Sequence, residues 1–119
     1  MKLKVQIFLF AIAVSWLITA CHSRGIDVTI QNNAAVSLRN VEIDYPGAAF
    51  GVPVISPGGS YWYHIKPLDD GELTLGFELE NGRNFKQKQA AVRKGEAGRL
   101  VIIVEQDSSN QFHTRIEMN

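Results

Sequence analysis

A single cysteine among 119 residues leaves no partner for an internal disulfide, so a disulfide-stapled scaffold is excluded. Neither sign of charge is in surplus: twelve Lys and Arg stand against twelve Asp and Glu. That balance argues against a nucleic-acid binder, which needs a basic field to neutralise phosphates. From Gly25 onward, no stretch of ten or more residues keeps helical three-four spacing, which excludes a helical domain. Catalytic signatures are missing as well. Gly58-Gly59-Ser60 is not a Gly-x-Ser-x-Gly elbow, and no glycine loop suited to cradling a phosphate occurs. The acids alternate outward on strand-like runs, where no burial raises their pKa. Neither an enzyme nor a cofactor is therefore expected. What the chain does have is apolar residues, 45% of them. That is too many for a disordered tail, at a length suited to one domain.

Those apolar residues fall into two unlike parts. Met1 to Lys4 carry two lysines, and Val5 to Ala20 then runs VQIFLFAIAVSWLITA without a charge. As a helix rising ~1.5 Å per residue, that run spans roughly 24 Å, short of the ~30 Å hydrocarbon core of a bilayer. A positive start, an apolar middle and a small residue at the end are the parts of an export signal. Ile18-Thr19-Ala20-Cys21 closes it, and this segment resembles the lipobox of bacterial lipoproteins. The resemblance implies that residues 1–20 are a signal helix removed before Cys21. It also implies that the Cys21 thiol takes a diacylglycerol and the new amino terminus a further acyl chain such as palmitate. Two or more chains make attachment effectively stable. In that class an Asp after the cysteine marks retention at the inner membrane. His22 stands there instead, which implies the outer membrane, facing the periplasm of the cell envelope. Residues 21–25 are then the lipidated cysteine and a short tether, the four residues His22 to Gly25 reaching at most about 14 Å.

Residues 26–119 read as short alternating runs separated by turn residues, the pattern of an all-β domain. Ile26, Val28 and Ile30 form the first strand, ended by Asn32-Asn33. In Val36 to Tyr45 the period-two pattern slips at Arg39-Asn40, which predicts a β-bulge or a short break. Pro53 predicts an edge position for Phe50 to Ile55. Ser56 to Ser60 is a turn, and Tyr61 to Ile65 puts Tyr61, Tyr63 and Ile65 on one face and Trp62 and His64 on the other. Leu73, Leu75, Phe77 and Leu79 alternate cleanly with polar residues. A two-residue Asn81-Gly82 hairpin loop would bury Lys86 and Lys88. A three-residue loop with Gly82 left-handed, or a nearby bulge, instead sets Phe85 opposite Phe77 and turns both lysines outward. Lys86 to Gln89, polar on both faces, suits a guarded sheet edge. Leu100 to Val104, apolar on both faces, should be central, and Phe112 to Met118 is the last strand. About eight strands predict an antiparallel immunoglobulin-like β-sandwich, with a small closed barrel as the alternative. Val28 to Asn33 and Ser56 to Ser60 resemble Ig-like modules of bacterial surface proteins.

Four residues are candidate partner or ligand contacts. The Tyr61-Trp62-Tyr63 cluster could be a platform for a sugar or peptide, although aromatics on strands usually pack the core, and His64 shares a strand face with Trp62. Lys86 and Lys88 belong to a basic stretch, Arg83 to Arg99, that follows the acidic stretch Asp69 to Glu80. The basic stretch could face anionic headgroups or an acidic partner. More simply, the two stretches pair across one hairpin. The three histidines lie in separate elements without metal-ligand spacing, so no metal is expected. The combined reading is a non-enzymatic envelope lipoprotein acting in structure or protein interaction. A module binding a glycan, a metal or a small apolar molecule is the alternative.

Overall fold

The computed structural model describes residues 24–119. The expected signal segment, Cys21 and His22 lie outside the described residues. Eight strands follow one another: β1 (Ile26–Asn32), β2 (Leu38–Tyr45), β3 (Ala48–Ile55), β4 (Ser60–Ile65), β5 (Gly71–Glu78), β6 (Asn84–Val92), β7 (Gly98–Gln106) and β8 (Phe112–Met118). Among the described residues there is no helix. The strands form two four-stranded sheets, sheet A in the order β4-β1-β7-β8 and sheet B in the order β3-β2-β5-β6.

One expectation about architecture needs correction. Pairing is antiparallel everywhere except between β1 and β7, which run parallel with Val28 beside Leu100 and Ile30 beside Ile102. Parallel pairing joins strands far apart in the chain, so no local turn announces it. The chain crosses between the layers at once, since β1 and β2 lie in opposite sheets.

The alternation does place the core. Ile26, Val28 and Ile30 of β1, with Leu100, Ile102 and Val104 of β7 beside them, join Leu73, Leu75 and Phe77 of β5 and Ile43 of β2 in one apolar cluster. Fully burying each such aliphatic side chain contributes about 1.5–3 kcal/mol. The slip at Arg39-Asn40 is a bulge: the β2–β5 register shifts between Arg39 and Glu42, and Asn40 takes φ +47°. Asn tolerates that left-handed backbone better than most residues. Pro53 lies on β3, an outer strand of sheet B, and Leu100 to Val104 lies on interior β7.

The β5–β6 hairpin takes the longer loop. Leu79 N–H donates to Arg83 O, Gly82 sits at φ +83°, and Phe77 pairs with Phe85. Their rings stack at 4.6 Å and 11°, while Lys86 and Lys88 fall opposite Gly76 and Thr74. One open side of the sandwich is closed by Tyr63 of β4 stacked on Phe50 of β3, 4.4 Å between ring centres. The other is closed by Thr114 of β8, whose hydroxyl donates to Gln89 of β6 at 2.7 Å.

At one end a buried side chain ties the sheets together. Asn32, fully buried at the end of β1, donates through Nδ2 to the carbonyls of Val36 at 2.9 Å and Ile55 at 3.0 Å. Its Oδ1 accepts from the Ala34 N–H at 2.9 Å. A buried amide is tolerated when its donors and acceptors are used in this way. Two asparagines after a strand look like a turn signal, which hides that the first of them is a structural joint.

Candidate functional site

Alternation along β4 turns Trp62 and His64 to the outer face of sheet A, away from the core. The register then assembles two rows across that face. His64 pairs with Asp27, which lies beside Arg99 of β7. Trp62 pairs with Thr29, which lies beside Val101. Asp27, Thr29, Trp62, Arg99 and Val101 line a shallow cleft of about 270 Å³. Trp62 is 60% exposed, so its ring forms a wall of the cleft and not a core contact. Next along β7, Ile103 is buried on this same outer face, at 4% exposure. The face thus combines an apolar floor, one exposed indole, one carboxylate and one guanidinium, a composition suited to an amphipathic ligand.

His64 is fixed at both nitrogens. Its Nδ1 hydrogen-bonds Asp27 Oδ1 at 2.7 Å. Its Nε2 is buried without a hydrogen-bond partner among the described residues. Gly25 explains the burial: a Cβ on that residue would come within 2.5 Å of Nε2. An Asp–His pair resembles two-thirds of a catalytic triad, but there the outer nitrogen must face a nucleophile. Here backbone closes it off. Arg99 makes no ion pair among the described residues, so its guanidinium is available to a ligand.

Lys86 and Lys88 do not join this site. They project from the outer face of sheet B, on the other side of the sandwich. Neither forms the expected ion pair with the acidic stretch among the described residues. The register is the reason, since it sets both lysines against Gly76 and Thr74, while Glu72 meets Ala91 and Glu78 meets Asn84. Glu80 pairs instead with Arg39 at 3.5 Å, and Glu78 accepts from Asn40 at 2.9 Å. The outer face of sheet B therefore carries unpaired lysines on β6 across a low strip from Glu42 and Asp44 on β2, and Asn40, Glu42, Asp44, Gly76 and Lys86 share a cleft of about 220 Å³.

His113 is an exposed partner of Glu105 at 3.0 Å, with Arg115 on the other carboxylate oxygen at 3.1 Å. The Arg115 hydrogen bond, and then that of His113, hold Glu105 below the usual carboxylate range. Among the described residues no group of three or more His, Cys, Asp or Glu is placed to hold a metal ion. Sequence reading missed Asp27 and Arg99 as neighbours of Trp62. Their outward phase on β1 and β7 was readable, but the parallel pairing that brings them together was not.

No protein-family model matches the chain, and no curated protein matches it. Among solved structures, the NMR structure of a protein from Eubacterium rectale is similar, with a TM-score of 0.64 at 13% identity. The match covers 82% of this chain and 92% of that one. At that identity the likeness concerns the fold alone.

Proposed function

We propose that the chain is an acyl-anchored lipoprotein of the bacterial cell envelope, held in the outer membrane and facing the periplasm, with a non-enzymatic structural or protein-interaction role. The observation that carries this reading is Ile18-Thr19-Ala20-Cys21 at the end of the uncharged run, five residues before Ile26, where β1 begins. It gives the lone cysteine a use and attaches a folded β-domain directly to lipid. The closed-off Nε2 of His64 supports a non-enzymatic role, because the polar pair most like a catalytic one has no open nitrogen. Mass spectrometry of the purified protein is the test. A mature chain beginning at a lipid-modified Cys21 is the expected result, and an unmodified Cys21 overturns it. Crosslinking in the native envelope should then give one recurrent protein partner.

A ligand-binding role is the second reading, favoured by the cleft beside Trp62. Its ligand would be a glycan or small amphipathic molecule lying against the indole and reaching Asp27 and Arg99. Titration with soluble oligosaccharides, followed by tryptophan fluorescence, tests it. A saturable change lost in Trp62→Ala supports this role over the interaction module.

A further inference from the structure

The strand directions decide which end of the sandwich meets the tether. β1, β5 and β7 begin at one end, where β2, β4 and β6 finish: Ile26 pairs with Ile65 and lies beside Gly98, and Gly71 pairs with Val92. Three loops cap this end: Pro46-Gly47, Lys66 to Asp70 and Arg93 to Ala97. Hydrogen bonds stitch them into one rim. Leu68 N–H donates to Pro46 O at 3.1 Å, Gly95 N–H to Pro67 O at 3.4 Å, and Lys94 N–H to Asp70 Oδ1 at 2.9 Å. The tether is fastened to the same end, since Gly98 N–H donates to Gly25 O at 3.1 Å and Gly25 packs against His64.

Leu68 stands out on this rim. It is 64% exposed, more than any other large hydrophobic residue described. It is also seated on Gly47, where an added Cβ would lie 2.8 Å from that of Leu68. The side chain therefore lies along Gly47 with its other side open to solvent. Lys66 precedes it, and Arg24, Arg93 and Lys94 are exposed at the same end. None of these four cations forms an ion pair among the described residues. The acids of the rim are Asp69, Asp70 and Glu96, and Asp70 is occupied by the Lys94 N–H. Four cations stand against these three acids at this end, and an exposed leucine among them suits a lipid interface, where the apolar side chain enters the headgroup region and the cations meet phosphates.

We propose that this rim is the membrane-contacting surface, with Leu68 inserted and Lys66, Arg93 and Lys94 against anionic headgroups. The inference rests on the Cys21 anchor, whose tether of at most about 14 Å leaves the domain no room to stand away from the bilayer. It goes further by naming the end that touches. With Cys21 blocked as a thioether, a cysteine introduced by Leu68→Cys, Lys66→Cys or Asn81→Cys is the one free thiol. Each full-length lipidated variant, labelled with a fluorophore, is reconstituted into vesicles of phosphatidylethanolamine and phosphatidylglycerol with brominated acyl chains. Position 81 lies at the far end, about 25 Å away for a strand of eight residues. Quenching should be at least about threefold stronger at positions 68 and 66 than at 81, given that separation. Vesicle-bound protein quenched equally at both ends overturns the contact alone. Protein that elutes free of vesicles with Cys21 unmodified overturns the anchor and this contact together.

Discussion

Asn32 shows how much one polar side chain can decide when water is excluded. Its amide serves two carbonyls and one N–H from three loop or strand ends, so truncation orphans all three at once. Asn32→Ala should cost about 2–4 kcal/mol, read as a lower urea midpoint at unchanged slope. Asn32→Asp keeps the acceptor for Ala34 but loses both donors and buries a charge, so its defect should shrink as pH falls and the carboxyl protonates. Charges on the surface act in the other direction. Glu105 is held low first by Arg115 and then by His113. Asp107 is held low first by the Gln111 N–H and then by the Ser109 hydroxyl. A depressed carboxylate contributes stability above its ordinary value, 4.5 for Glu105 and 3.8 for Asp107, and loses it as pH falls through the folded value. Asp107 is exposed and Glu105 half-buried at a solvent-screened edge, so the contribution is small. A shallow acid slope in melting temperature is expected, flatter in Glu105→Gln. Tyr45 runs opposite: burial, then the nearby Tyr63, raises its hydroxyl above 10.0. Its contribution is complete below that value and is lost as pH rises through the folded one. Tyr45→Phe should flatten the alkaline limb of the same curve.

Among the elements, the β5–β6 hairpin depends most on backbone chemistry. Gly82 at φ +83° lets the loop run three residues, which sets Phe85 against Phe77. Gly82→Ala should cost about 1–2 kcal/mol, the penalty for an L-residue held left-handed, measurable by urea unfolding. Phe85→Ala should cost more than that, because it removes a stacked ring at the sandwich edge. This hairpin was readable from sequence because only one loop length keeps Lys86 and Lys88 out of the core. The bulge at Asn40, the edge position of Pro53 and the interior position of β7 were readable for the same reason. Each is a local pattern that one burial rule can judge. The sheet partners of β1 were not. Nothing within Ile26–Asn32 says that β7, seventy residues later, will lie beside it in parallel, and the neighbours of Trp62 depend on that pairing. Hence Trp62 and His64 could be picked out as an exposed pair while Asp27 and Arg99 went unseen.

For the whole molecule, the proposed anchor predicts location, and the surfaces away from it predict partners. Cys21→Ser should move the protein from the membrane to the soluble fraction on cell fractionation, without altering its unfolding curve, because the β-domain begins beyond it. If the loop rim lies on lipid, the opposite end points into the periplasm. There Val36, Leu79, Glu80, Arg83 and Phe112 line a cleft of about 470 Å³, open to soluble partners. The position of β1 has a mechanical consequence as well. Tension entering through the residues before Ile26 is delivered to a strand flanked on both sides, by β4 and by β7. A pull directed along the strand axes toward the far end must shear two ladders together. A peripheral strand under the same pull would have only one ladder to shear. Were the proposed anchor and a partner to pull on opposite ends, resistance to stretching would be set by a slow rate of rupture, because the leashed segment runs through the middle of its sheet.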